Sequence, residues 1–194
     1  MKKTICAIAV FAFAAAAAST CRAQSSGPIP VKAVIEQQSG LTVAISRVVG
    51  TTWSTDTEIN FGTLTLDPVY QIFKSNRYYA IDVGVNTNAA NWTITHAASS
   101  VAGPSDHLNY NINVTFVRQI SNSSDAALSG GKVSYAASNG KQYTKSDFSA
   151  GGWLRIYYGL GTGSGDNNGV TPIFSNKAPG TYSGSVTLTL ITSG

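Results

Sequence analysis

Leu108-Asn109-Tyr110-Asn111-Ile112-Asn113-Val114-Thr115-Phe116 sets an apolar side chain at every second position and a polar one between. Side chains of an extended strand point alternately to opposite faces, so this spacing predicts a strand with Leu108, Tyr110, Ile112, Val114 and Phe116 on its buried face. A helix would scatter the same residues around its circumference. The asparagines and Thr115 then line a polar face.

The same period of two recurs on either side. Candidate strands run over Val31–Glu36 and Leu41–Val49, with Gly40 between them; in the second, Leu41, Val43 and Ile45 share one face and Thr42, Ala44 and Ser46 the other. In Ile59–Leu66 the parity shifts at Gly62, and a bulge there would bring Ile59, Phe61, Leu64 and Leu66 to one face. Tyr79, Ile81, Val83 and Val85 alternate up to the turn-rich Asn86–Asn91, and Trp92-Thr93-Ile94-Thr95 follows, which reads as a hairpin. Lys132–Ala136, Trp153–Tyr158 and Gly180–Ile191 complete the set. The links Ser138–Gly152 and Gly159–Gly169 read as the least regular parts.

Helical periodicity persists for three turns nowhere after residue 23, so crossover helices for a parallel sheet are missing from the pattern. The expected fold is all-β: an immunoglobulin-like antiparallel β-sandwich of about eight or nine strands. A closed barrel is the alternative, since alternating faces are common to both.

The chain opens with Lys2 and Lys3, an apolar run from Ile5 to Ala18, and a short polar stretch to Ala23. This is the layout of a secretory signal peptide. A run of about 14 residues is shorter than the roughly 20 a membrane-spanning helix requires. The expected organisation is a signal peptide at 1–23 and one β-sandwich domain at 24–194, exported to a bacterial periplasm, outer surface or fimbrium, without a transmembrane segment after cleavage. A lipid-bearing Cys21 is the alternative, although Ala18 and Thr20 fit a lipoprotein signal poorly.

Cleavage would remove Lys2, Lys3 and Arg22, taking the formal charge from +4 to about +1. A near-neutral domain gives nucleic acid no basic footprint. Cys6 and Cys21, the only cysteines, would leave as well. No disulfide, thiol nucleophile or cysteine-zinc site is then expected.

Residues with chemical potential are few. The loop Gly159–Gly169 is glycine-rich, but it lacks the following helix and Lys-Ser/Thr pair of a phosphate loop. Its Asp166, Asn167 and Asn168 offer oxygen ligands to calcium, with a single carboxylate. His96 and His107 are the only histidines, and Asp106 adjoins His107. Neighbours in an extended chain point apart, and no serine sits in a nucleophile elbow. The reading is no enzyme, no cofactor and no metal.

Trp53, Trp92, Trp153, Tyr78, Tyr79, Tyr157 and Tyr158 supply rings that stack on sugars when exposed. Trp92 runs in phase with Ile94 and Tyr79 with Ile81, which assigns both to the core. Trp53, in a Thr/Ser-rich stretch, is the candidate glycan contact. Asn91, Asn113 and Asn122 each begin a glycosylation-like triplet of the kind Asn- and Thr-rich chains generate by chance.

Ala178–Leu190, with its Gly180-Thr181-Tyr182 turn and alternating Val186-Thr187-Leu188-Thr189-Leu190, resembles the closing strand of bacterial pilin-type and spore-coat-U-type domains. Ile59–Leu64 resembles their early Phe-Gly strand, and Val83–Thr95 is similar to part of bacterial surface WxL-type domains. The pilin cysteine pair is absent, and Trp92 leads a Trp-x-Ile. The resemblance implies a structural or adhesive, fimbrial-subunit-like role at the cell surface, with other protein chains or further copies as partners. In pilins an incomplete sandwich is completed by a neighbour's strand. Val31, Ala33 and Ile35 form the candidate donor strand; the same segment also reads as pairing within its own domain. A secreted carbohydrate-binding module is the alternative function.

Overall fold

The computed structural model describes residues 39–118, 126–148 and 153–193, all within the unit that spans residues 36–194. The donor-strand candidates Val31, Ala33 and Ile35 lie outside the described residues, as do the signal segment and both cysteines.

The architecture is an antiparallel β-sandwich. Its larger sheet has six strands: β1 (Ser39–Val49), β2 (Thr52–Asp56), β5 (Arg77–Thr87), β7 (Ile112–Arg118), β8 (Ala126–Ser134) and β10 (Trp153–Leu160), in the order β2-β1-β5-β10-β7-β8. The smaller sheet is β12-β6-β9, from β6 (Asn91–Ala98), β9 (Lys141–Thr144) and β12 (Val186–Ser193). A third sheet joins the short β3 (Thr65–Asp67), β4 (Ile72–Lys74) and β11 (Ile173–Phe174). Of the twelve strands among the described residues, these last three have three residues or fewer, so the longer ones match the expected eight or nine.

The core fills the space between the two larger sheets. Ile81, Val83, Val114, Phe116, Leu154 and Ile156 enter from one side, and Trp92, Ile94 and Tyr143 from the other. Phe148 closes on Trp92 with ring centroids 4.7 Å apart. Burying one such side chain contributes about 1.5–3 kcal/mol, so this apolar layer is the main stabilising element.

Several expectations are corrected. β5 and β6 do not form a hairpin: they lie in different sheets, and residues 88–90 carry the chain across the core. Two consecutive alternating strands pattern identically whether they pair or face each other. In Leu108–Phe116 the strand starts only at Ile112. Before it the chain turns, Asn111 N–H donating to Leu108 O, while the Asn111 side chain donates to the carbonyls of Thr171 and Pro172 and Asn109 Oδ1 accepts from Val101 N–H. Leu108, Ile112, Val114 and Phe116 are buried as expected, but Tyr110 is exposed.

Residues 57–64 form no strand, so there is no bulge at Gly62. Gly62 instead adopts φ +70°, a conformation glycine takes without steric cost. Ile59, Phe61 and Leu64 still pack on the core, whereas Leu66 in β3 is exposed. Gly40 does not separate strands either; it lies inside β1, paired with Asn86. The link Ser138–Gly152 holds β9 and a 3₁₀ turn at Lys145–Asp147. Residues 180–185 precede β12 without being strand.

One lateral side of the sandwich is closed by the chain itself. Between β8 and β9 a single helical turn, α1 (Tyr135–Ser138), crosses from the larger to the smaller sheet, capped by the Ser134 hydroxyl. The Tyr135 hydroxyl donates to Ser185 O, and Gly140 N–H to His96 O.

Candidate functional site

The opposite lateral side, between β1 and β12, is not closed in that way. Among the described residues β12 pairs only with β6, through a register from Val186↔Ala98 to Ser193↔Asn91, and its other edge has no partner strand. On β6 the inward Trp92, Ile94 and His96 are all buried, whereas on β12 the inward Val186, Leu188 and Leu190 are only half-buried. The larger sheet shows the same gradient. Ile81 and Val83 of β5 are buried; on neighbouring β1, Leu41 and Ile45 are half-buried and Val43 is 45% exposed.

These six residues, Leu41, Val43, Ile45, Val186, Leu188 and Leu190, form an incompletely covered apolar strip, a shallow trough between two strands that approach each other on this side. At its Val186 end lies a cavity of about 730 Å³ whose wall includes Phe61, Leu64, Phe73, Leu160 and Ile173. An unpaired strand edge beside uncovered apolar surface is a template for adding a strand: its main-chain groups supply hydrogen bonds, and the trough accepts alternate side chains.

A second distinctive surface lies on the outer face of the larger sheet. Residues opposite one another in a ladder share a face. The registers Trp53↔Val48↔Tyr78, Tyr157↔Ala80, Arg155↔Asp82 and Trp153↔Gly84 therefore bring four aromatic residues and an ion pair to one surface. Arg155 grips Asp82 with two bonds, Nε to Oδ1 at 2.6 Å and Nη2 to Oδ2 at 2.9 Å. The Trp53 ring stacks 4.9 Å from the Arg155 guanidinium. Trp53 is thus exposed as expected, and Trp92 and Tyr79 are core as expected. The company of Trp53 was hidden in the sequence, because Arg155 and Asp82 come to its face only through strand pairing.

The remaining candidates have structural settings. His96 is fully buried. Its Nδ1 lies 3.0 Å from Ser138 O, and because a carbonyl only accepts, Nδ1 carries the proton. Nε2 then accepts from the Tyr158 hydroxyl at 2.7 Å. Burial holds the imidazole below its ordinary pKa, favouring the neutral ring that this arrangement requires. Asp106 does not engage the His107 ring: its carboxylate pairs with Lys177 at 2.7 Å and accepts from the His107 backbone N–H. The Lys177 bond holds Asp106 below the usual carboxylate range.

In the loop Gly159–Gly169 the one candidate calcium carboxylate, Asp166, is already engaged, and Asn167 serves the fold through its amide nitrogen. Asp166 accepts from Thr162 N–H, Gly163 N–H and the Asn113 amide, and the Asn167 amide donates to Val114 O and Thr115 Oγ1. Among the described residues no group of three His, Cys, Asp or Glu is placed to hold a metal ion. No described helix is long and apolar enough to cross a membrane.

Comparison with family models, with curated proteins and with solved structures finds no match for this chain. The functional reading therefore rests on the open trough, the ringed outer face and the residues that build them.

Proposed function

We propose that this chain is an exported, non-enzymatic structural or adhesive protein of a bacterial surface, a fimbrial-subunit-like module that assembles with other chains by accepting a strand along β12. One observation carries this reading: inward residues buried along the middle of β5 and β6 give way to half-buried or exposed ones on β1 and β12, at a strand edge without a partner among the described residues. Closure by α1 on one side and incompletely covered apolar residues on the other support the reading of a sandwich that accepts one more strand. The resemblance of Ala178–Leu190 to the closing strand of pilin-type domains supports the same reading, since that stretch includes the first five residues of β12.

The donor is the segment containing Val31, Ala33 and Ile35, whose alternation offers apolar residues to the trough at every second position. Chains beginning at Gln24 and at Gln37 are compared by size-exclusion chromatography with light scattering and by thermal melting. The longer chain is expected to form assemblies and to melt higher. Monomers of equal size and stability from both chains would remove strand donation.

A further inference from the structure

The outer face of the six-stranded sheet is unusual for a surface exposed to water, where alternation ordinarily leaves polar residues. On this face β1 and β5 carry the small side chains Ala44, Ser46, Ala80 and Gly84, while rings stand on edge strand β2 (Trp53), on β5 (Tyr78) and on β10 (Trp153 and Tyr157). Beneath those rings Val48 and Ala80 are buried, at 0% and 1% exposure, although both point away from the core. The rings themselves stay accessible: Trp53 is 44% exposed, and Tyr78 and Trp153 are each 37% exposed.

The rings are also held in place. A Cβ at Gly84 would come within 2.9 Å of Trp153 Cη2, so the absence of a side chain there lets the indole lie flat against the strand. Trp53 is fixed against the Arg155 guanidinium, which is itself fixed by the fork to Asp82. Surfaces ordered before binding lose less entropy on binding. Trp153 and Tyr157, four residues apart on β10, stand about 13 Å from each other along the strand, with Arg155 between them.

We propose that this face, built from Trp53, Trp153, Tyr157 and the Arg155–Asp82 pair, is a binding platform for an uncharged oligosaccharide. A sugar ring has an apolar C–H face and a hydroxyl edge. The first stacks on an indole or phenol ring, and the second meets the carboxylate and guanidinium, which offer both acceptors and donors. The charge pattern points to an uncharged ligand, because the two ionised groups between the rings neutralise each other. A nucleic acid or acidic polysaccharide would need an excess of basic groups. The flatness of the platform, with an indole lying along the sheet, suits an extended chain of sugars better than a globular protein knob. The proposal is independent of strand donation, which uses the other side of the sheet.

The test is native gel electrophoresis of the full chain through gels containing galactomannan, xylan, hydroxyethyl cellulose or glycol chitin, with heparin as a charged comparison. Retardation is expected in at least one uncharged gel. Trp53→Ala, Trp153→Ala and Gly84→Val, which displaces the indole without deleting it, should each weaken retardation about threefold or more, the contribution of one stacked ring. Tyr110→Ala, an exposed ring elsewhere, should behave as the parent. Trp53 stands on an edge strand, so its variant, checked by thermal melting, decides the matter if the others fail to fold. Overturning results are no retardation in any uncharged gel, retardation in heparin alone, or retardation untouched by Trp53→Ala. A change of oligomeric state in Trp53→Ala without any response to sugar would mark the face as a protein interface and also overturn the proposal.

Discussion

His96 continues the parity of Trp92 and Ile94, so the period of two already turns it inward; only its polar type argued for a more exposed setting. Its neutral ring bridges the backbone of α1 and the Tyr158 hydroxyl across the core. Because burial lowers its pKa in the folded chain, the unfolded chain binds the extra proton first as pH falls. Stability contributed by this ring is therefore complete above the ordinary value of 6.5 and declines as pH drops below it. The slope is at most about 1.4 kcal/mol per pH unit for one proton. Urea unfolding at pH 7.5 and pH 5 should show the loss, and His96→Gln, less stable throughout, should show a shallower dependence. Tyr143 gives the opposite kind of prediction. Its hydroxyl is buried without a hydrogen-bond partner among the described residues, and an unsatisfied buried group costs about 1–3 kcal/mol. Tyr143→Phe keeps the ring contact with Phe116 and should raise the urea midpoint.

Among the elements, β5, β10 and most of β1 were legible and stand where period two puts them, because their inward apolar series continues past outward Gly84 and Gly159 without a change of parity. The opening stretch was half legible. Its asparagines look like the polar face of a strand, yet Asn109 and Asn111 bond to backbone groups and hold a turn before β7. Side-chain amides that compete with the ladder are invisible to a pattern of polarity alone. β9 escaped because it is four residues long, with Tyr143 as its only buried side chain. The trough escaped because Val43 reads like any inward residue; its exposure depends on what the facing sheet lacks. Val43 and Val83 are directly paired on β1 and β5, yet they are 45% and 0% exposed. Threonine preserves shape and strand preference at either position. Val83→Thr should destabilise the single chain by about 1–3 kcal/mol, since it buries a hydroxyl. Val43→Thr should change that stability by less than about 0.5 kcal/mol, while weakening the proposed assembly, in which an added strand would cover the position. Chemical unfolding and light scattering separate the two effects.

For the whole molecule, the directions of β1 and β12 bear on where the strand proposed to add along β12 would come from. Residues 88–90 join the end of β5 to the start of β6, so Thr87 and Asn91 lie at one end of the sandwich. Ser39 pairs with Thr87 and Ser193 with Asn91, so β1 starts at the end where β12 finishes, and the two run in opposite directions. Sheets pack about 10 Å apart, and the link 36–38 reaches about 13 Å. The chain's own residues 31–35 could therefore turn back from Ser39 into the trough, but they would then run parallel to β12. A second copy can enter from either end and add its strand antiparallel, the slightly more stable pairing per residue. Supply by a second copy makes the folded state depend on concentration. The melting temperature of the chain from Gln24 should rise between micromolar and hundred-micromolar protein, and that of the chain from Gln37 should not. A peptide of residues 28–36 added to the shorter chain should restore the higher value. A melting temperature that is high and independent of concentration in the longer chain would instead place the segment in its own trough.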